Sequence, residues 1–350
     1  MKRTLLKRTL LGLSALLTLS SALAQGKELR IYTWGGYLKP EVVAQFEKKN
    51  GVKVKVDLFG SNEEMIAKLQ AGGVSQYDLV VPTDYAVESM VALKLLMPLD
   101  KKLVPNLKNL SATFANPAYD RGNRFTVPFQ WYTVGLVYDK RKLKTPPKSW
   151  AVLFDPTKSV GKYLLMDSPR EMMGPALKYL GHSVNTIDPQ QVQAAGKLLL
   201  DSKKASNSLG FAADVALRNR VISGEAALAV GYSGDALSAM LENKNLGFTL
   251  PKEGTVVAVD TLAIPARAPN SALAHRFIDF IMDPKVNAEN ANFVRYGTPN
   301  QAALQFVNAA DRKNPLIYPS AALLKKLESV KDLGKNNRLY DETWTAIKSR

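Results

Sequence analysis

The segment IYTWGGY, residues 31–37, places two large aromatic side chains, Trp34 and Tyr37, on either side of two glycines at the end of an apolar stretch. Aromatic faces pack against methylene groups and attract cations, by about 0.5–2 kcal/mol for each ring. Glycine lets another backbone or a ligand approach closely. The segment therefore predicts one wall of a binding site or, alternatively, a turn whose aromatic rings complete the core.

A carboxylate, Asp260, interrupts the otherwise apolar segment VVAVDTLAIP at residues 256–265. An ionised Asp among buried strand residues is costly unless a cation or several hydrogen-bond donors meet it. The pattern favours a cationic group of a ligand as the partner of Asp260. The alternative is a buried Asp that accepts hydrogen bonds from backbone N–H groups.

A second candidate carboxylate, Glu171, lies in the segment SPRE at residues 168–171. In a capping box, Ser168 would cap a helix, Pro169 would take its first position and Glu171 would reach back to the cap. This local arrangement explains Glu171 without a ligand. A binding role for the same carboxylate stays open beside it.

These candidate residues follow strands in an alternating pattern of strands and helices. Near the N-terminus the pattern predicts strands at ELRIYTW, VKVKVDLF and YDLVVPT, and helices at KPEVVAQFEKKNG, SNEEMIAKLQAGG and YAVESMVALKLL. The first helix has a proline near its start and Gly51 after its end, and the second has a capping pair, Ser61 and Glu64, with Gly72 closing it. Strands that alternate with helices indicate an α/β fold with a mainly parallel sheet covered on both faces.

The same pattern returns later, with strands at KYLLMD, AALAVGYS and VVAVDTLAIP, a helix from Pro169, and a helical run from about Ala272 to Val294. We find no internal repeat and no low-complexity linker, so the two regions are predicted to be interleaved. In open α/β sheets, ligands bind beyond the carboxyl ends of the strands. The segments that follow strands are therefore the candidate site: residues 34–37, 83–85, 167–171, 232–235 and 260.

The N-terminal segment has the pattern of a secretory signal peptide. Four cations precede an apolar run that ends in Ala22-Leu23-Ala24, which predicts cleavage after Ala24 and export. No later stretch reaches the roughly 20 apolar residues of a membrane span. The 350-residue chain contains no cysteine, so neither a disulfide nor a lipid-anchoring thiol is predicted. With 46% hydrophobic residues, it is long enough to form two domains.

The net charge of +16 falls to +12 when the four cations of the signal peptide are removed. The lysines are spread along the chain and form no basic motif interleaved with aromatics, so nucleic acid is not a predicted partner. The two histidines, His182 and His275, are far apart, and the chain contains neither H-E-x-x-H nor a phosphate-binding G-x-x-x-x-G-K. GYSGD at residues 231–235 lacks the final glycine of the G-x-S-x-G nucleophile elbow. No catalytic residue, metal or cofactor is predicted, and a secreted hydrolase is a remote alternative.

Six segments, in their order along the chain, resemble the periplasmic spermidine/putrescine-binding proteins of ABC importers: YTWGGY, SNEEMIAKL, YDLVVPTDY, DSPRE, LPKEGTVVAVDTLAIPA and RYGTPNQAA. The resemblance runs from about Leu29 to the C-terminus. It implies a two-lobed periplasmic-binding fold of type II, with helices covering the sheet of each lobe and the ligand in the cleft between them. It further implies that residues 25–135 and 259–304 form the first lobe and residues 136–258 and 305–350 the second, after a signal peptide of residues 1–24.

The resemblance also implies the ligand-binding residues. Asp260 would pair with a ligand amine, Glu171 would lie at the far end of the site, and Thr83 would take the place of a hydrogen-bonding serine. Trp131 also matches a family tryptophan, but its apolar neighbours favour a position in the core. The full predicted set is Trp34, Tyr37, Thr83, Tyr85, Glu171, Tyr232, Asp260 and Tyr296.

The chain departs from the family pattern at several of these positions. Gly36 and Ser168 stand where the family commonly has acids, Ala258 and Tyr232 where it has stacking tryptophans, and Val330 where a glutamine contacts the ligand. Asp84, which is absent from the usual pattern, would either restore one charge or stabilise a turn.

The function implied is that of a monomeric exported solute-binding protein. It would capture a polyamine such as putrescine or spermidine by lobe closure and deliver it to an ABC permease of the inner membrane. The departures leave a second possibility open, in which the same fold binds another small amine-bearing solute such as a modified amino acid.

Overall fold

The computed structural model describes residues 28–158, 160–212 and 214–350 of the chain. The predicted signal peptide, residues 1–24, lies outside the described residues. The strands within the described residues are β1 (Glu28–Thr33), β2 (Lys53–Leu58), β3 (Leu79–Val80), β4 (Thr126–Asp139), β5 (Tyr163–Met166), β6 (Ser208–Ala212), β7 (Leu228–Tyr232), β8 (Leu246–Thr249), β9 (Thr255–Ala263) and β10 (Leu327–Ser329).

The α-helices surround this sheet. In chain order they are α1 (Pro40–Asn50), α2 (Asn62–Gln70), α3 (Asp84–Ala92), α4 (Ala151–Phe154), α5 (Pro169–Tyr179), α6 (Pro189–Lys204), α7 (Asp214–Ile222), α8 (Ser233–Glu242), α9 (Ser271–Ile281), α10 (Pro284–Val294), α11 (Ala309–Arg312), α12 (Ala321–Leu324) and α13 (Asn337–Ser349). In the part of the chain that the structure describes, no helix combines the length and the apolar character needed to cross a bilayer.

The strands form one mixed sheet in the order β2-β1-β3-β9-β4-β7-β5-β6, with β10 on β9 and β8 on β4. At one end β1 is parallel to β2 and β3, and at the other end β5 is parallel to β6 and β7. Between these ends, β9 is antiparallel to β3, and β4 is antiparallel to β7. Strands β4 and β9 also pair with each other, and that pairing is antiparallel too. The parallel strands at each end of the sheet belong to a different lobe. This is the two-lobed α/β architecture that the resemblance implies.

The long strand β4 joins the two lobes. It pairs with β9 as far as Thr133 and with β7 from Val134 onward, and all 14 of its residues are buried. Its partner therefore changes in the middle of a continuous strand, close to the predicted crossover at Gly135. A Cβ at Gly135 would lie 2.5 Å from Cζ of Phe248, so only glycine permits this packing.

Local signals in the sequence set the first two helices as predicted. Pro40 is the first residue of α1, and Gly51 ends the helix in a left-handed conformation with φ of 62°. The side chain of Ser61 caps α2 by accepting a hydrogen bond of 3.1 Å from the backbone N–H of Glu64. The C-cap residue of α2 is the one before Gly72 rather than Gly72 itself.

The helical run predicted from Ala272 to Val294 is two helices, α9 and α10. The side chain of Asp283 accepts hydrogen bonds from the backbone N–H groups of Lys285 and Val286, at 3.0 and 3.3 Å, and so caps α10. Pro284 takes the first position of the new helix, where its missing N–H costs nothing. A proline inside one continuous helix would have removed a hydrogen bond, so the break lies at this Asp-Pro pair.

Candidate functional site

A cavity is lined by residues that lie on, or close after, strands β1, β4, β7 and β9 or just after helix α10. The lining side chains are Trp34, Tyr37, Tyr132, Tyr232, Asp235, Asp260 and Tyr296. Five of these seven belong to the set predicted from the sequence, whereas Tyr132 and Asp235 do not. We call this space the main cavity.

Asp260 lies at one end of the main cavity and is only 1% exposed. Its Oδ1 accepts a hydrogen bond of 2.6 Å from the hydroxyl of Thr83, and its Oδ2 accepts a short one from the hydroxyl of Tyr37. Burial raises the pKa of Asp260 to about 7, although these two hydrogen bonds act in the opposite direction. The carboxyl group is therefore held close to its titration point, where a nearby cation would decide its charge.

The register of the sheet brings the partners of Asp260 together. Thr83 forms an isolated antiparallel bridge with Asp260 on one side, and Gln130 of β4 lies opposite Asp260 on the other. The hydrogen bonds that reach the carboxylate come from side-chain hydroxyls, so the arrangement differs from an Asp that braces backbone N–H groups. A carboxylate has about four lone-pair positions, and these two hydroxyls occupy two of them.

Asn62, at the start of α2, holds Thr83 in place and is 1% exposed. Its Nδ2 donates to the hydroxyl oxygens of Thr83 and Tyr85, at 3.0 and 2.9 Å, and its Oδ1 accepts from the backbone N–H of Thr83 at 3.0 Å. Because the Thr83 oxygen accepts from Asn62, its own hydrogen points to Asp260. The predicted residue Tyr85 is thus tied to the site through Asn62 and does not line the main cavity.

Glu171 lies at the other end of the site and is 1% exposed. Its Oε1 accepts a hydrogen bond of 2.6 Å from Tyr132, and its Oε2 accepts hydrogen bonds of 2.7 Å from both Tyr232 and Ser168. Ser168 is the N-cap residue of α5, but its side chain makes no capping bond to the backbone. The capping box is therefore only partly formed: Glu171 reaches back to the cap residue through the Ser168 hydroxyl, and the same carboxylate also accepts from hydroxyls of β4 and β7.

Four tyrosine rings form a continuous row between these two carboxylates. Ring centroids are 5.5 Å apart for Tyr37 and Tyr296, 5.8 Å for Tyr296 and Tyr132, and 4.9 Å for Tyr132 and Tyr232. The row begins at the ring bonded to Asp260 and ends at the ring bonded to Glu171. The site is thus elongated, with apolar ring surface along its length and an acid at each end.

Trp34 and the glycines after it show both features expected of the IYTWGGY segment. The indole N–H of Trp34 donates to the backbone oxygen of Val81 at 2.9 Å, and its ring packs edge-on against Phe59 at 4.5 Å. Gly36 adopts a φ of +71°, a conformation that side chains disfavour. The segment is a tight turn, and its two aromatic residues also line the main cavity.

Two glycines allow the aromatic rings near β4 to pack closely. A Cβ at Gly234 would lie 2.7 Å from the ring of Tyr296, and a Cβ at Gly297 would lie 2.3 Å from the indole of Trp131. The ring of Tyr296 is consequently held inside the main cavity. Trp131 is buried against Gly297 and outside the cavity lining, which confirms the prediction that it belongs to the core.

Three of the residues at which the chain departs from the family pattern, Asp84, Ala258 and Val330, are buried and lie outside the lining of the main cavity. Asp84 is 3% exposed, its Oδ1 accepts from the backbone N–H of Tyr85 at 2.9 Å, and it does not line the main cavity. Burial raises the pKa of Asp84 well above its usual value, and the charge of Asp260 acts in the same direction. Ala258 and Val330 are likewise buried and outside the lining.

A second, more open space lies between the start of α2 and the residues of α5 and α13. Its carboxylates are Glu63, Glu64, Asp167 and Asp341. Burial, followed by the negative charges of Glu63 and Glu171, raises the pKa of Tyr85 well above its usual value, so this space adjoins the Glu171 end of the site. Lys348 pairs with Asp167 at 2.6 Å. Charges are screened beyond about 8 Å in physiological salt, so these nearby acids act on the site more strongly than the distant basic surface does.

Sequence reasoning missed Tyr132 and Asn62. Tyr132 lies in a strand whose residues are all buried, so no alternation of apolar and polar residues distinguishes it. Asp235, in the first turn of α8, was inside the candidate segment 232–235 but was not among the predicted ligand-binding residues. Asn62 follows the capping residue Ser61, and only the fold shows that it reaches Thr83, just after β3.

Comparison with known proteins agrees with this architecture. Residues 41–317 match the family of bacterial extracellular solute-binding proteins. The chain is 35% identical to a putrescine/cadaverine-binding protein of Pseudomonas aeruginosa over 100% of both chains. It is 34% identical to the putrescine-binding periplasmic protein PotF of Escherichia coli, over 93% of this chain and 92% of that one.

The fold of this chain also resembles a solved structure. It is a putative spermidine/putrescine ABC transporter protein from Listeria monocytogenes, with a TM-score of 0.85 and 34% identity over 92% of this chain and 99% of that one. The family match spans most of the chain, and the relatives match it along almost their whole length. The chain therefore belongs to the family of bacterial extracellular solute-binding proteins.

Proposed function

We propose that the protein captures a linear diamine or polyamine, of the putrescine or spermidine kind, in the main cavity. The observation that carries this proposal is the row of four tyrosine rings that runs between Asp260 and Glu171. Such a ligand has ammonium groups at both ends and methylene groups between them. Carboxylates match the ends, and ring faces match the middle while attracting the cations as well.

Each end of the ligand has a proposed partner. One ammonium group pairs with Asp260, whose carboxylate has lone pairs beyond those used by Thr83 and Tyr37. The other ammonium group lies beside Tyr232, within the field of Glu171, and Asp235, which also lines the cavity, is its proposed carboxylate partner. Trp34 and the tyrosine rings enclose the carbon chain, and Tyr85 supports Thr83 through Asn62.

The names of the relatives support the ligand class and the setting. One is a putrescine/cadaverine-binding protein, another a putrescine-binding periplasmic protein, and the similar structure belongs to a spermidine/putrescine ABC transporter. We propose, in line with these names, that the protein acts in the periplasm and hands its ligand, unchanged, to a permease of the inner membrane, and that it does so as a monomer. The predicted signal peptide at residues 1–24 fits this route.

The lobes are proposed to follow the predicted boundaries, 25–135 with 259–304 and 136–258 with 305–350. The change of strand partners on β4 between Thr133 and Val134 supports the first crossover. Strands β4 and β9, together with the connection near residues 304–305, then act as the hinge. Because the main cavity is lined from both lobes, closing the hinge encloses the ligand.

Thermal unfolding in the presence of putrescine, cadaverine, spermidine and spermine tests the proposal. A ligand at 100 times its dissociation constant stabilises the native state by about 2.7 kcal/mol, which a melting experiment resolves as several degrees. We expect at least one of the four amines to raise the melting temperature and to be recovered chemically unchanged. If all four leave it unmoved at millimolar concentration, the polyamine assignment is wrong.

A further inference from the structure

Lysine side chains are concentrated at one end of the lobe that contains β5, β6 and β7. Strands β8, β4, β7 and β5 are neighbours there, and the chain turns just before or just after each of them. Neighbouring strands are about 4.8 Å apart, so the four strand ends span about 15 Å. We call the exposed lysines at these strand ends the basic end, and they are Lys140, Lys142, Lys144, Lys162 and Lys244.

Hydrogen bonds join the connections of the basic end into one continuous surface. The Nζ of Lys140, just after β4, donates to the backbone oxygen of Lys244, just before β8, at 3.1 Å. On the other side of β4, the backbone N–H of Asp139 donates to the oxygen of Ala227 at 2.9 Å. The N–H of Ala227 donates in turn to the oxygen of Lys162 at 2.7 Å. The lysines therefore lie side by side although they are up to 104 residues apart in the sequence.

Acids at the same end of the lobe do not offset these lysines, because arginines already pair with them. The pairs are Asp139 with Arg141, Glu225 with Arg220, and Glu242 with Arg218. Among the described residues, no carboxylate forms an ion pair with a lysine of the basic end. The basic end thus presents five uncompensated positive charges to solvent.

The basic end is remote from the main cavity. Lys162 precedes β5, and Ala227 precedes the parallel strand β7. Tyr232, which lines the main cavity, is at the opposite end of β7. The five residues of β7 therefore separate the cavity from the basic end by about 15 Å. A partner that covers the lysines leaves the main cavity free.

An exposed leucine accompanies the lysines. Leu241 is 67% exposed in the last turn of α8, three residues before Lys244. Lysines beside an aliphatic side chain suit the boundary of a bilayer, where cations meet lipid phosphates and an apolar group enters the acyl region. A surface for nucleic acid would instead offer aromatic rings or unpaired arginines.

We infer that the basic end binds the surface of an anionic phospholipid bilayer, with Leu241 inserted among the headgroups. The lysines supply long-range attraction, and the leucine adds apolar contact once the surfaces meet. The chain has no cysteine to which a lipid could be attached. Electrostatic binding would concentrate the protein at the membrane that holds the proposed permease. The surface is separate from the proposed ligand site, so either assignment can fail alone.

Co-sedimentation with lipid vesicles tests the inference. The protein is purified after export, so that the predicted signal peptide is absent. Vesicles of phosphatidylglycerol mixed equally with phosphatidylcholine are compared with vesicles of phosphatidylcholine alone. We expect binding to the anionic vesicles only, and a loss of at least about tenfold between about 50 and 500 mM salt, because exposed charges are then screened.

A double variant, Lys142→Gln with Lys244→Gln, removes two charges of the basic end. Each lysine near an anionic leaflet contributes about fivefold to affinity, so the expected loss is about 25-fold. Lys48→Gln with Lys68→Gln is the matched control, because it makes the same change in net charge at exposed positions of α1 and α2. It should weaken binding less than about threefold, and both variants should melt as wild type does.

Leu241→Ser separates a lipid partner from an acidic macromolecule. Burial of part of the leucine side chain is worth about fivefold, so the affinity for anionic vesicles should fall by that factor. Binding of polyglutamate, a probe for acidic protein surfaces, should not change. Binding to anionic vesicles that is unaltered in Leu241→Ser would overturn the insertion of Leu241.

Three results would overturn the bilayer assignment as a whole. One is equal binding, or equal lack of binding, to anionic and neutral vesicles. Another is wild-type affinity for anionic vesicles in the double lysine variant. The third is tighter binding of polyglutamate or duplex DNA than of anionic vesicles, since the partner of the basic end would then be an acidic macromolecule.

Discussion

Thr83 and Asp260 are 177 residues apart in the sequence, yet the Thr83 hydroxyl donates a hydrogen bond of 2.6 Å to Oδ1 of Asp260. The oxygen of the same hydroxyl accepts a hydrogen bond from Asn62. This chain of hydrogen bonds orients the threonine so that the carboxylate acts as an acceptor. Asp260 thereby becomes a group that can receive a cation while buried.

Asp260→Asn keeps the size of the side chain and removes its charge. Breaking a buried ion pair by removing one partner costs about 3–5 kcal/mol, so putrescine affinity should fall by a few hundredfold or more. Titration calorimetry measures the loss. Asp201→Asn, at an exposed position of α6, is the control and should bind as wild type does. Near wild-type affinity in Asp260→Asn would remove Asp260 from the site.

Binding is expected to displace a proton below pH 7. Burial raises the pKa of Asp260 to about 7, whereas an ammonium partner favours the ionised form. At pH 6 close to one proton should therefore be released for each ligand bound, and affinity should rise with pH until it levels above pH 7. Calorimetry at pH 6 in two buffers with different ionisation enthalpies counts the proton. Equal heats in both buffers would contradict the prediction, and Asp260→Asn should show no release.

The same titration affects the stability of the ligand-free protein. The pKa of Asp260 is about 7 when folded against an ordinary value of 3.8, so the native state holds a proton that the unfolded chain has lost. The associated stabilisation is present below pH 4 and is lost as the pH rises through 7, by up to about 1.4 kcal/mol per pH unit. Urea unfolding at pH 5, 6, 7 and 8 should show that wild type loses stability relative to Asp260→Asn. If the unfolding free energies of wild type and Asp260→Asn changed in parallel with pH, this prediction would be contradicted.

Asn62→Asp should shift the pH dependence of binding, although residue 62 does not line the main cavity. An ionised carboxylate in place of the Asn62 amide cannot donate to Thr83 and would accept its hydroxyl hydrogen, so Asp260 loses a donor and gains a negative neighbour. Both effects raise the pKa of Asp260. We expect the pH of half-maximal affinity to rise by about one unit, with affinity recovering at higher pH.

A control separates this effect from structural damage. Asn116→Asp changes an exposed asparagine whose Oδ1 accepts from the backbone N–H of Gly122, a role that an aspartate retains. It should leave the pH profile unchanged. A uniform loss of affinity in Asn62→Asp at every pH would show that Asn62 only supports the fold.

Asp235→Asn should discriminate between ligands with one and two ammonium groups. A hydrogen bond to a charged group is worth about 1.5–3 kcal/mol, so putrescine should lose about ten- to hundredfold in affinity. Butylamine, bound through Asp260 alone, should lose little. Competition titrations with both amines measure the two losses in one variant. Equal losses would show that Asp235 does not contact the second ammonium group.

The elements and their capping were largely readable from the sequence. Pro40 and Gly51 delimit α1, and Ser61 caps α2, because these signals act within a few residues of the chain. The same local reasoning left two interpretations of Glu171 open, since a capping box and a buried acceptor of three hydroxyls share one sequence pattern. Local sequence reports the short-range contacts that a residue can make, not the long-range ones that it does make.

The sequence by itself determined the classes of residue at the site, the aromatic rings and acids that follow the strands, and the resemblance that orders them. Only the tertiary structure decided their partners. Tyr37 and Asp260 are 223 residues apart and meet because the register of β9 between β3 and β4 places one carboxylate beside both hydroxyls. The pKa of about 7 follows from burial, which is a property of the packed sheet. Tyr132 and Asp235 joined the site for the same reason, since side-chain direction and enclosure are settled by packing rather than by residue type.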